Sequence, residues 1–461
     1  MRPGNRTDAQ SLYFNYPRFD PPGKDRASGV AHRVVVVGAG PVGMTAALTL
    51  ARLGIGCVLL DAKDSFNDGS RAICLARQSF QILESLGAVR PFLEKALPYL
   101  SGRSFYRGQQ ILEFSMPDTC DSKYRPMYNL QQQYTEAFLY QAIQREPLIE
   151  LRWCSKVTGV GQDDATVTLQ VEDPWGGYTL RSAWVLAADG ARSTVRSLRG
   201  LRLNGQNLEG RYVIADIRME RTGQGPLSRV ERLALFHPRS RPGGTVLVHE
   251  QPDHIWRIDY QLHDDEEEQR ALEEASVRTC VAGVLRDLEW PFPWDLGWWS
   301  IYSANTLALD DYRDGRIFFI GDSAHIVPIF GVRGLNNGLA DAQNIAWKLA
   351  AVLHHYAPAE LLESYTPERR GATLEAFAAA EKSARFMTPH SRGTALHHIE
   401  PRFRYENGFS KIRDAPKYAP KMTSVPPEGS CDFRAPALPA RVALENFCVR
   451  RHLLNLACRE P

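Results

Sequence analysis

Residues 315–350 read GRIFFIGDSAHIVPIFGVRGLNNGLADAQNIAWKLA, which places a short apolar run, a glycine-bearing loop and a helical pattern in one continuous order. The apolar run ends at Ile320 and lies between Gly315 and Gly321, a pattern typical of a buried strand. The free backbone N–H groups at the start of the following helix attract anions and electron-rich ligand atoms. Asp322, at the end of the strand, is placed to accept hydrogen bonds from a polyol.

A second pattern lies at residues 33–61, where a buried strand is followed by GAGPVG at residues 38–43, a helix, another strand and an acid. In G-x-G-x-x-G the glycines allow a tight turn, a close approach to a pyrophosphate, and close packing of helix on strand. The acid, Asp61, can hold both ribose hydroxyls and repels a ribose phosphate, so FAD or NAD is favoured over NADP. The expected ligand positions are Gly38, Gly40, Pro41, Val42, Gly43, Asp61 and Ala62.

The composition is that of an ordinary folded protein, and 461 residues are enough for two or more domains. The net charge of +2 and the lack of a Lys/Arg run give no sign of a nucleic-acid partner. No apolar stretch reaches the roughly 18 residues that cross a bilayer, so we expect no stable membrane insertion. The eight cysteines are scattered without a C-x-x-C pair, which predicts no metal site and a reducing, cytoplasmic location.

The segments GDSAHIVP (321–328) and GLNNG (334–338), with ADGARSTVR (188–196), resemble the GD and DG motifs of the single-component FAD-dependent aromatic hydroxylases. This is the group of para-hydroxybenzoate hydroxylase and phenol hydroxylase, and the resemblance covers roughly residues 33–389. It implies an α/β fold, with a Rossmann-like FAD-binding domain, an interleaved antiparallel-sheet substrate domain and long C-terminal helices.

We predict five segments along the chain. They are an N-terminal arm (1–31), a first FAD-binding part (32–209), a substrate-binding sheet (210–300), a second FAD-binding part (301–389) and an irregular tail (390–461). Three interpretations of the tail stay open: a truncated C-terminal domain, a wrapping arm, or the product of an altered reading frame.

The resemblance also implies roles for single residues. Asp322 would bind the ribityl chain of FAD, and Arg71 its pyrophosphate, unless Arg71 is a solvated surface residue. Gln132 would contact the flavin side of the cofactor. Three successive glutamines leave a one-residue ambiguity in this assignment, and the polar start of a helix explains the glutamines nearly as well. Asp189 would brace the backbone around the pyrophosphate, and Arg196 would serve the nicotinamide nucleotide. Further cofactor positions are Gly321, Pro328, Gly334, Leu335 and Asn336.

The substrate site is expected on the strand at residues 256–262, whose side chains alternate between an apolar and a polar face. We chose the apolar face, with Trp256 and Ile258 against an aromatic ring, while plain core packing explains it equally. Ile329 and Phe330 are expected beside the substrate. Relatives of para-hydroxybenzoate hydroxylase often carry two successive prolines where this chain has Pro328 and Ile329, which puts a specific backbone contact to the substrate in doubt.

The chemistry that the resemblance implies is hydroxylation of a phenolic substrate by a monooxygenase that consumes NADH or NADPH and O2, through a C4a-hydroperoxyflavin. No protein base stands out; His325 and Pro328 are the candidates, and His325 fits a structural role as well. Three roles stay open for Arg333: it pairs with an acidic substrate, it pairs with the N1–C2 oxygen region of the flavin, or it is a surface charge. The alternatives are another flavin enzyme, such as a reductase or a halogenase (the W-x-W-x-I-P signature is absent), and a non-catalytic or regulatory FAD-binding protein. A homodimer is left open.

Overall fold

The computed structural model describes residues 1–3, 14–24, 31–67, 69, 72–119, 121–220, 230–328 and 331–387. Arg71, Ile329, Phe330 and the tail at 390–461 lie outside these residues, so the predictions made for them stay predictions. The five predicted segment boundaries also stay predictions.

Strands and helices alternate through the first part of the chain, and longer strands dominate the middle. In chain order the strands are β1 (Ala31–Val37), β2 (Cys57–Leu60), β3 (Cys74–Ala76), β4 (Leu97–Tyr99), β5 (Ser101–Tyr106), β6 (Gln109–Ser115), β7 (Met127–Asn129), β8 (Ile149–Arg152), β9 (Lys156–Gln162), β10 (Val167–Asp173), β11 (Gly176–Ala187), β12 (Asn204–Met219), β13 (Glu231–Phe236), β14 (Thr245–Gln251), β15 (Ile255–Gln261), β16 (Trp294–Ala308), β17 (Arg313–Asp314), β18 (Ile317–Phe319) and β19 (His325–Ile326). The helices are α1 (Pro41–Arg52), α2 (Arg77–Ser85), α3 (Val89–Lys95), α4 (Gln132–Ile143), α5 (Thr194–Leu198), α6 (Glu268–Ala271), α7 (Glu274–Asp287), α8 (Arg333–Leu353) and α9 (Tyr365–Met387), with 3-10 turns at Gly321–Ser323 and Ala359–Ser364.

The first large sheet is built around β1, which pairs in parallel with β2 on one side and β11 on the other. The strand order is β17-β18-β11-β1-β2-β8, and β10 and β9 continue antiparallel from β11. The last four residues of β1 and all of β2 are buried because helices cover this part of the sheet. This is the predicted dinucleotide-type sheet, with the carboxyl ends of β1, β11 and β18 side by side.

The second large sheet has the order β19-β16-β12-β15-β14-β13-β5-β6 and is antiparallel except where β13 pairs with β5. Its apolar face packs on α7 and forms a core of its own. β5 and β6 complete this sheet, although they lie within the range 32–209 that the sequence predicts as the first FAD-binding part. The difference arises because pairing across more than a hundred residues leaves no local sequence pattern.

A small sheet of β3, β7 and β4 connects the two large ones. Asn129 of β7 donates from Nδ2 to the Glu250 carbonyl oxygen on β14, at 2.8 Å. Gln131 likewise donates from Nε2 to the Pro252 carbonyl oxygen, at 2.9 Å. These sheets and helices confirm the predicted α/β class with an interleaved antiparallel sheet. Within the part of the chain that the structure describes, no helix has the length and hydropathy needed to span a bilayer.

Candidate active site

The loop between β1 and α1 lies so close to the DG motif that Gly38 has no room for a side chain. Gly38 has a φ of +104°, and a Cβ there would lie 2.5 Å from the Ala188 carbonyl oxygen. A Cβ on Gly43 would overlap the carbonyl oxygen of Gly38. At Gly40 a Cβ would meet only Asn67 Nδ2, 4.0 Å away. The loop is therefore packed on one side and open on the other, which is the form a phosphate cradle requires.

Asp61 holds this loop from the end of β2. Its Oδ2 accepts a hydrogen bond from the Ala39 N–H at 2.7 Å, and its Oδ1 accepts one from the Lys63 N–H at 2.9 Å. Burial raises the pKa of the Asp61 carboxyl, and these backbone N–H groups oppose that shift. A carboxylate oxygen accepts more than one hydrogen bond, so acceptor capacity is left for a ribose hydroxyl. Ala62 is exposed beside it.

Val42 is the point where three motif segments meet. A Cβ on Gly338 of α8 would lie 2.7 Å from Val42 Cγ2 and 3.3 Å from Gly321 Cα. A Cβ on Gly321 would lie 3.1 Å from the same Val42 Cγ2. Glycine at positions 321 and 338 therefore lets α1, the turn after β18 and α8 approach one another. Pro41, ahead of Val42, occupies the first turn of α1, where the missing N–H carries no penalty.

Hydrogen bonds to buried residues hold the turn Gly321–Ser323 in place, and Asp322 on this turn is exposed. Gly321 has a φ of +62°, and its N–H donates to Asp341 Oδ2 at 3.1 Å. Ser323 Oγ donates to the Ala187 carbonyl oxygen at 2.6 Å. Asp322 is exposed, so its carboxylate is accessible to a ligand.

His325 lies in the core rather than at the open side of the site. Its side chain is 0% exposed, and Nε2 lies 2.6 Å from Asp341 Oδ2. Arg369 of α9 donates from Nε to Asp341 Oδ1 at 2.5 Å. Burial alone would raise the pKa of the Asp341 carboxyl, but His325 and Arg369 together hold it below its ordinary value. This packing favours the structural interpretation of His325 that the sequence left open; Pro328, the other candidate, is also buried.

The start of α8 offers backbone rather than side-chain groups. Asn336 Oδ1 accepts from the Ala76 N–H at 2.8 Å and from Ser79 Oγ at 2.6 Å, while Nδ2 donates to the carbonyl oxygens of Cys74 and Val332 at 3.1 and 2.6 Å. The Asn336 amide is thus fully used inside the protein. The N–H groups of the first helical turn, which includes Gly334 and Leu335, have no partner within the helix.

Val332, the residue before α8, has a φ of +53° and a ψ of +40°. This left-handed conformation is strained for a β-branched residue, and such strain is concentrated at functional sites. Val332 also packs against the small cluster around Cys74 and Met127. The strained residue Val332 therefore lies at the start of α8 and packs against residues of the small sheet.

The structure separates the three adjacent glutamines. Gln132 Oε1 accepts from the Ala72 N–H at 3.2 Å, and its Nε2 donates to Glu136 Oε1 at 2.8 Å. Glu136 in turn accepts from the backbone N–H and the side-chain amide of Asn67, at 2.8 and 2.7 Å. Gln131 instead bonds to Pro252, and Gln133 is completely buried. Gln132 is therefore the glutamine that faces the loop leading to position 71.

The DG motif braces the GD turn through Arg196. Asp189 Oδ2 accepts from the Val195 N–H at 3.0 Å, at the start of α5. Arg196 donates from Nη1 to the Ser323 carbonyl oxygen at 2.9 Å and from Nη2 to the Ala191 carbonyl oxygen at 2.7 Å. These bonds give Arg196 a structural task in addition to the nucleotide contact expected from the sequence.

The structure favours core packing for the apolar face of β15, the alternative that the sequence left open. Trp256 and Ile258 are buried between β15 and α7, in the core that contains Val281. The ring of Trp256 lies edge-on to Trp290, with centroids 4.8 Å apart. The opposite face of β15 carries Arg257 and Asp259, whose charges act on Cys74 of the small sheet.

The residues present fit FAD. Asn337 Nδ2 and Arg333 Nε are buried polar atoms that make no hydrogen bond to any part of the chain that the structure describes. Buried polar groups in folded proteins are normally hydrogen-bonded, so atoms of this kind indicate a polar ligand. They lie beside Gly334, which is open, as are Gly40 and Gly190 in the other two motifs. A ligand with phosphates, hydroxyls and a heteroaromatic ring satisfies both observations.

Comparison with known proteins defines the class. Residues 31–380 match the family model of the FAD binding domain, so the chain belongs to the FAD-binding-domain family of the aromatic hydroxylases, and FAD is its cofactor. The chain is 30% identical over 353 residues to para-nitrophenol 4-monooxygenase from a Pseudomonas species, covering 74% of this chain and 83% of the relative. The crystal structure of p-nitrophenol 4-monooxygenase from Pseudomonas putida matches with a TM-score of 0.70 and 25% identity, covering 83% of this chain and 96% of that one.

A second relative is longer than this chain. The 3-(3-hydroxy-phenyl)propionate/3-hydroxycinnamic acid hydroxylase of Mycolicibacterium smegmatis is 27% identical over 363 residues. That match covers 78% of this chain but only 62% of the relative. The chain thus spans about three fifths of the length of such relatives. The likeness to the solved structure confirms the predicted fold class.

Sequence reasoning missed the buried groups that hold the motifs in place, notably Asp341, Arg369 and Glu136. For Asp341 a signal existed, because an acid between Leu339 and Ala342 interrupts the apolar face of α8. An acid in that place requires a buried partner. Arg369 carried no such signal, since arginine on a long helix is usually solvated.

Proposed function

We propose that the protein is an FAD-dependent monooxygenase that uses NADH or NADPH and O2 to hydroxylate a phenolic or related aromatic substrate. The observation that carries this proposal is the close contact of the glycine loop, the GD turn and α8 at Val42. It joins the segments that resemble the aromatic hydroxylases into one site. The match of residues 31–380 to the FAD-binding family supports the same function.

Bound FAD supplies the electron transfer and the oxygen activation that protein side chains cannot perform. The chain's own residues bind and orient. The open glycine loop and the start of α1 would hold the pyrophosphate, Asp61 would hold the ribose, and Asp322 would accept hydrogen bonds from the ribityl hydroxyls. The backbone N–H groups in the first turn of α8 would be donors for the flavin. The charged face of the second sheet and the small sheet exclude water from the aromatic substrate.

The proposed partners are therefore a small aromatic molecule, O2 and a reduced nicotinamide nucleotide. We also propose a cytoplasmic location, which the free thiols of Cys57, Cys74, Cys154 and Cys280 support. The non-catalytic alternative predicts a protein that binds FAD without consuming NADH or NADPH, and the following experiment separates the two.

The test is a visible spectrum of the purified protein, followed by NADH and NADPH oxidation with and without a panel of phenols, and mass analysis of the products. We expect bound oxidised flavin, faster nucleotide oxidation with one phenol, and a product heavier by one oxygen atom. Asp322→Ala should lower FAD content, whereas Asp265→Ala, at an exposed acid, should not. Tightly bound FAD without any phenol-dependent oxidation would favour the non-catalytic alternative.

A further inference from the structure

The charged face of the second sheet is a buried surface of ionisable side chains. Arg257 of β15 donates from Nε and Nη2 to the two carboxylate oxygens of Asp216 on β12, at 2.7 and 2.8 Å. His249 of β14 lies beside Arg257 in the strand register, and Asp259 follows two residues later on the same face. Charged side chains this deeply buried require partners or a ligand.

Two atoms of this surface lack a hydrogen-bond partner among the residues that the structure describes. Asp259 Oδ1 and His249 Nδ1 are buried and make no hydrogen bond to any residue within the described ranges. Asp259 is 6% exposed and His249 is 2% exposed, so bulk water reaches neither freely. His249 Nε2 lies 3.7 Å from Asp259 Oδ2, which is too far for a hydrogen bond. Leaving such groups unsatisfied is unfavourable, so each of the two atoms is expected to bind a polar group of a ligand.

Cys74 places this surface next to the loops of the cofactor site. The Cys74 carbonyl oxygen accepts from Asn336 Nδ2 in the first turn of α8, at 3.1 Å. Its thiol donates to Asn129 Oδ1 at 3.2 Å, and the charges of Arg257 and Asp259 act on it. Cys74 therefore contacts the start of α8 and is close enough to Arg257 and Asp259 to be affected by their charges. The apolar and aromatic residues that cluster with Cys74 include Ile73, Tyr99, Met127, Met116, Val230 and Val332.

The protonation states select the kind of group that fits. Burial lowers the pKa of His249 well below its ordinary value, and the charges of Arg232 and Arg257 lower it further, so the imidazole is neutral. Burial raises the pKa of the Asp259 carboxyl to about 7, although Arg257 and Arg232 oppose that shift. A hydroxyl both donates and accepts, so it satisfies a carboxyl oxygen and a neutral imidazole nitrogen together.

A carboxylate fits less well. It would bring a further negative charge beside Asp259 and Asp216 in a water-poor site, where like charges are unfavourable. Arg257, the buried cation on this face, is already engaged with both oxygens of Asp216. Arg232 is the residue that would hold a carboxylate if one bound.

We propose that Asp259 and His249 bind a hydroxyl group of the aromatic substrate, and that this site selects an uncharged phenol over an aryl carboxylate. The inference rests on the proposed function, because it assigns the substrate class of that same site. It also gives the substrate-binding role to the polar face of β14 and β15 and to residues absent from the motifs.

The test measures binding to the FAD-loaded protein without NADH or NADPH, so it does not depend on turnover. The probes share one ring system: 2-naphthol, 2-methoxynaphthalene, which lacks the donor, and 2-naphthoate, which carries a carboxylate. Calorimetry and the flavin absorbance change give the dissociation constants. We expect the protein to bind 2-naphthol about tenfold more tightly than either other probe.

Variants separate a specific contact from a general loss of structure. Asp259→Asn should weaken 2-naphthol binding about tenfold and leave 2-methoxynaphthalene binding unchanged, because only the hydroxyl reaches position 259. His249→Gln should weaken 2-naphthol in the same selective way. Asp265→Asn, at an exposed acid on the loop after β15, is the matched control and should change nothing.

The proposal is overturned if 2-naphthoate binds most tightly, or if Arg232→Gln selectively weakens the binding of 2-naphthoate. It is also overturned if the folded holoprotein binds none of the three probes, or if Asp259→Asn and His249→Gln weaken the binding of all three probes equally. Selective binding of 2-naphthol without turnover of any phenol would instead contradict the proposed monooxygenase function and would still support the hydroxyl-binding site. The two failures are therefore distinguishable.

Discussion

His325 Nε2 lies 2.6 Å from Asp341 Oδ2, in a pair of side chains that are both completely buried. The same Asp341 carboxylate accepts from the Gly321 N–H and from Arg369 Nε. One acid on α8 thus fixes the turn that carries Asp322 and the last helix, α9. The network therefore supports the cofactor site through buried hydrogen bonds to the Gly321–Ser323 turn.

Asp341→Asn should therefore destabilise the protein, since it leaves the Arg369 guanidinium without its anion. We expect a loss of about 3 kcal/mol in the free energy of unfolding, measured with urea, and weaker FAD retention. Glu375→Gln, at an exposed acid on α9, should leave both quantities unchanged. Equal stability of the two variants would show that the network is not structural.

Glycine substitutions on α8 and α9 should separate packing from ligand contact. Gly338→Ala would place a methyl group 2.7 Å from Val42 Cγ2, so we expect a loss of about 1–3 kcal/mol and weaker FAD binding. A Cβ at Gly334 meets no atom of the described residues within 4 Å, so Gly334→Ala should weaken FAD binding without lowering the free energy of unfolding. Gly371→Ala, where a Cβ is equally free among the described residues, should leave FAD binding unchanged and raise the free energy of unfolding by about 0.5–1 kcal/mol, because alanine favours a helix over glycine. FAD fluorescence measures the binding, and urea unfolding measures the stability.

Arg196→Ala should loosen the contact between the DG and GD motifs. Because two hydrogen bonds to backbone carbonyls are lost, we expect about 1–2 kcal/mol less stability and lower FAD content. The neighbouring exposed Arg192→Ala is the control. A variant with normal FAD content and stability, but a raised KM for NADH or NADPH, would support the nucleotide contact alone.

The stability of the protein should fall as pH rises because of Asp259. Its folded-state pKa is raised to about 7, while an unfolded Asp titrates near 4. Between these values the folded state holds a proton that the unfolded state has released, so the free energy of unfolding decreases with rising pH. Urea unfolding at pH 5, 6, 7 and 8 should show a decrease on the order of a few kcal/mol, which Asp259→Asn should remove. A variant with an unchanged pH profile would refute this.

Local sequence patterns were enough to predict the motif-bearing elements. A run of valines before GAGPVG predicts β1 and α1, because strand, tight turn and helix are set by neighbouring residues. The same holds for β18, the GD turn and α8. The alternation in residues 256–262 predicts β15 but not the side that α7 covers, and only the folded structure shows that Trp256 and Ile258 pack on that helix.

By itself the sequence determined the class of cofactor, the order of the motifs and the presence of an antiparallel sheet between them. Each of these depends on contacts between residues close in the chain, which a pattern can encode. The tertiary structure alone decided that Asp341 joins Gly321 to Arg369, that β5 and β6 complete the second sheet, and that the charge of Asp259 acts on Cys74. These relationships join distant segments, and burial and long-range pairing fix them only when the whole chain has folded.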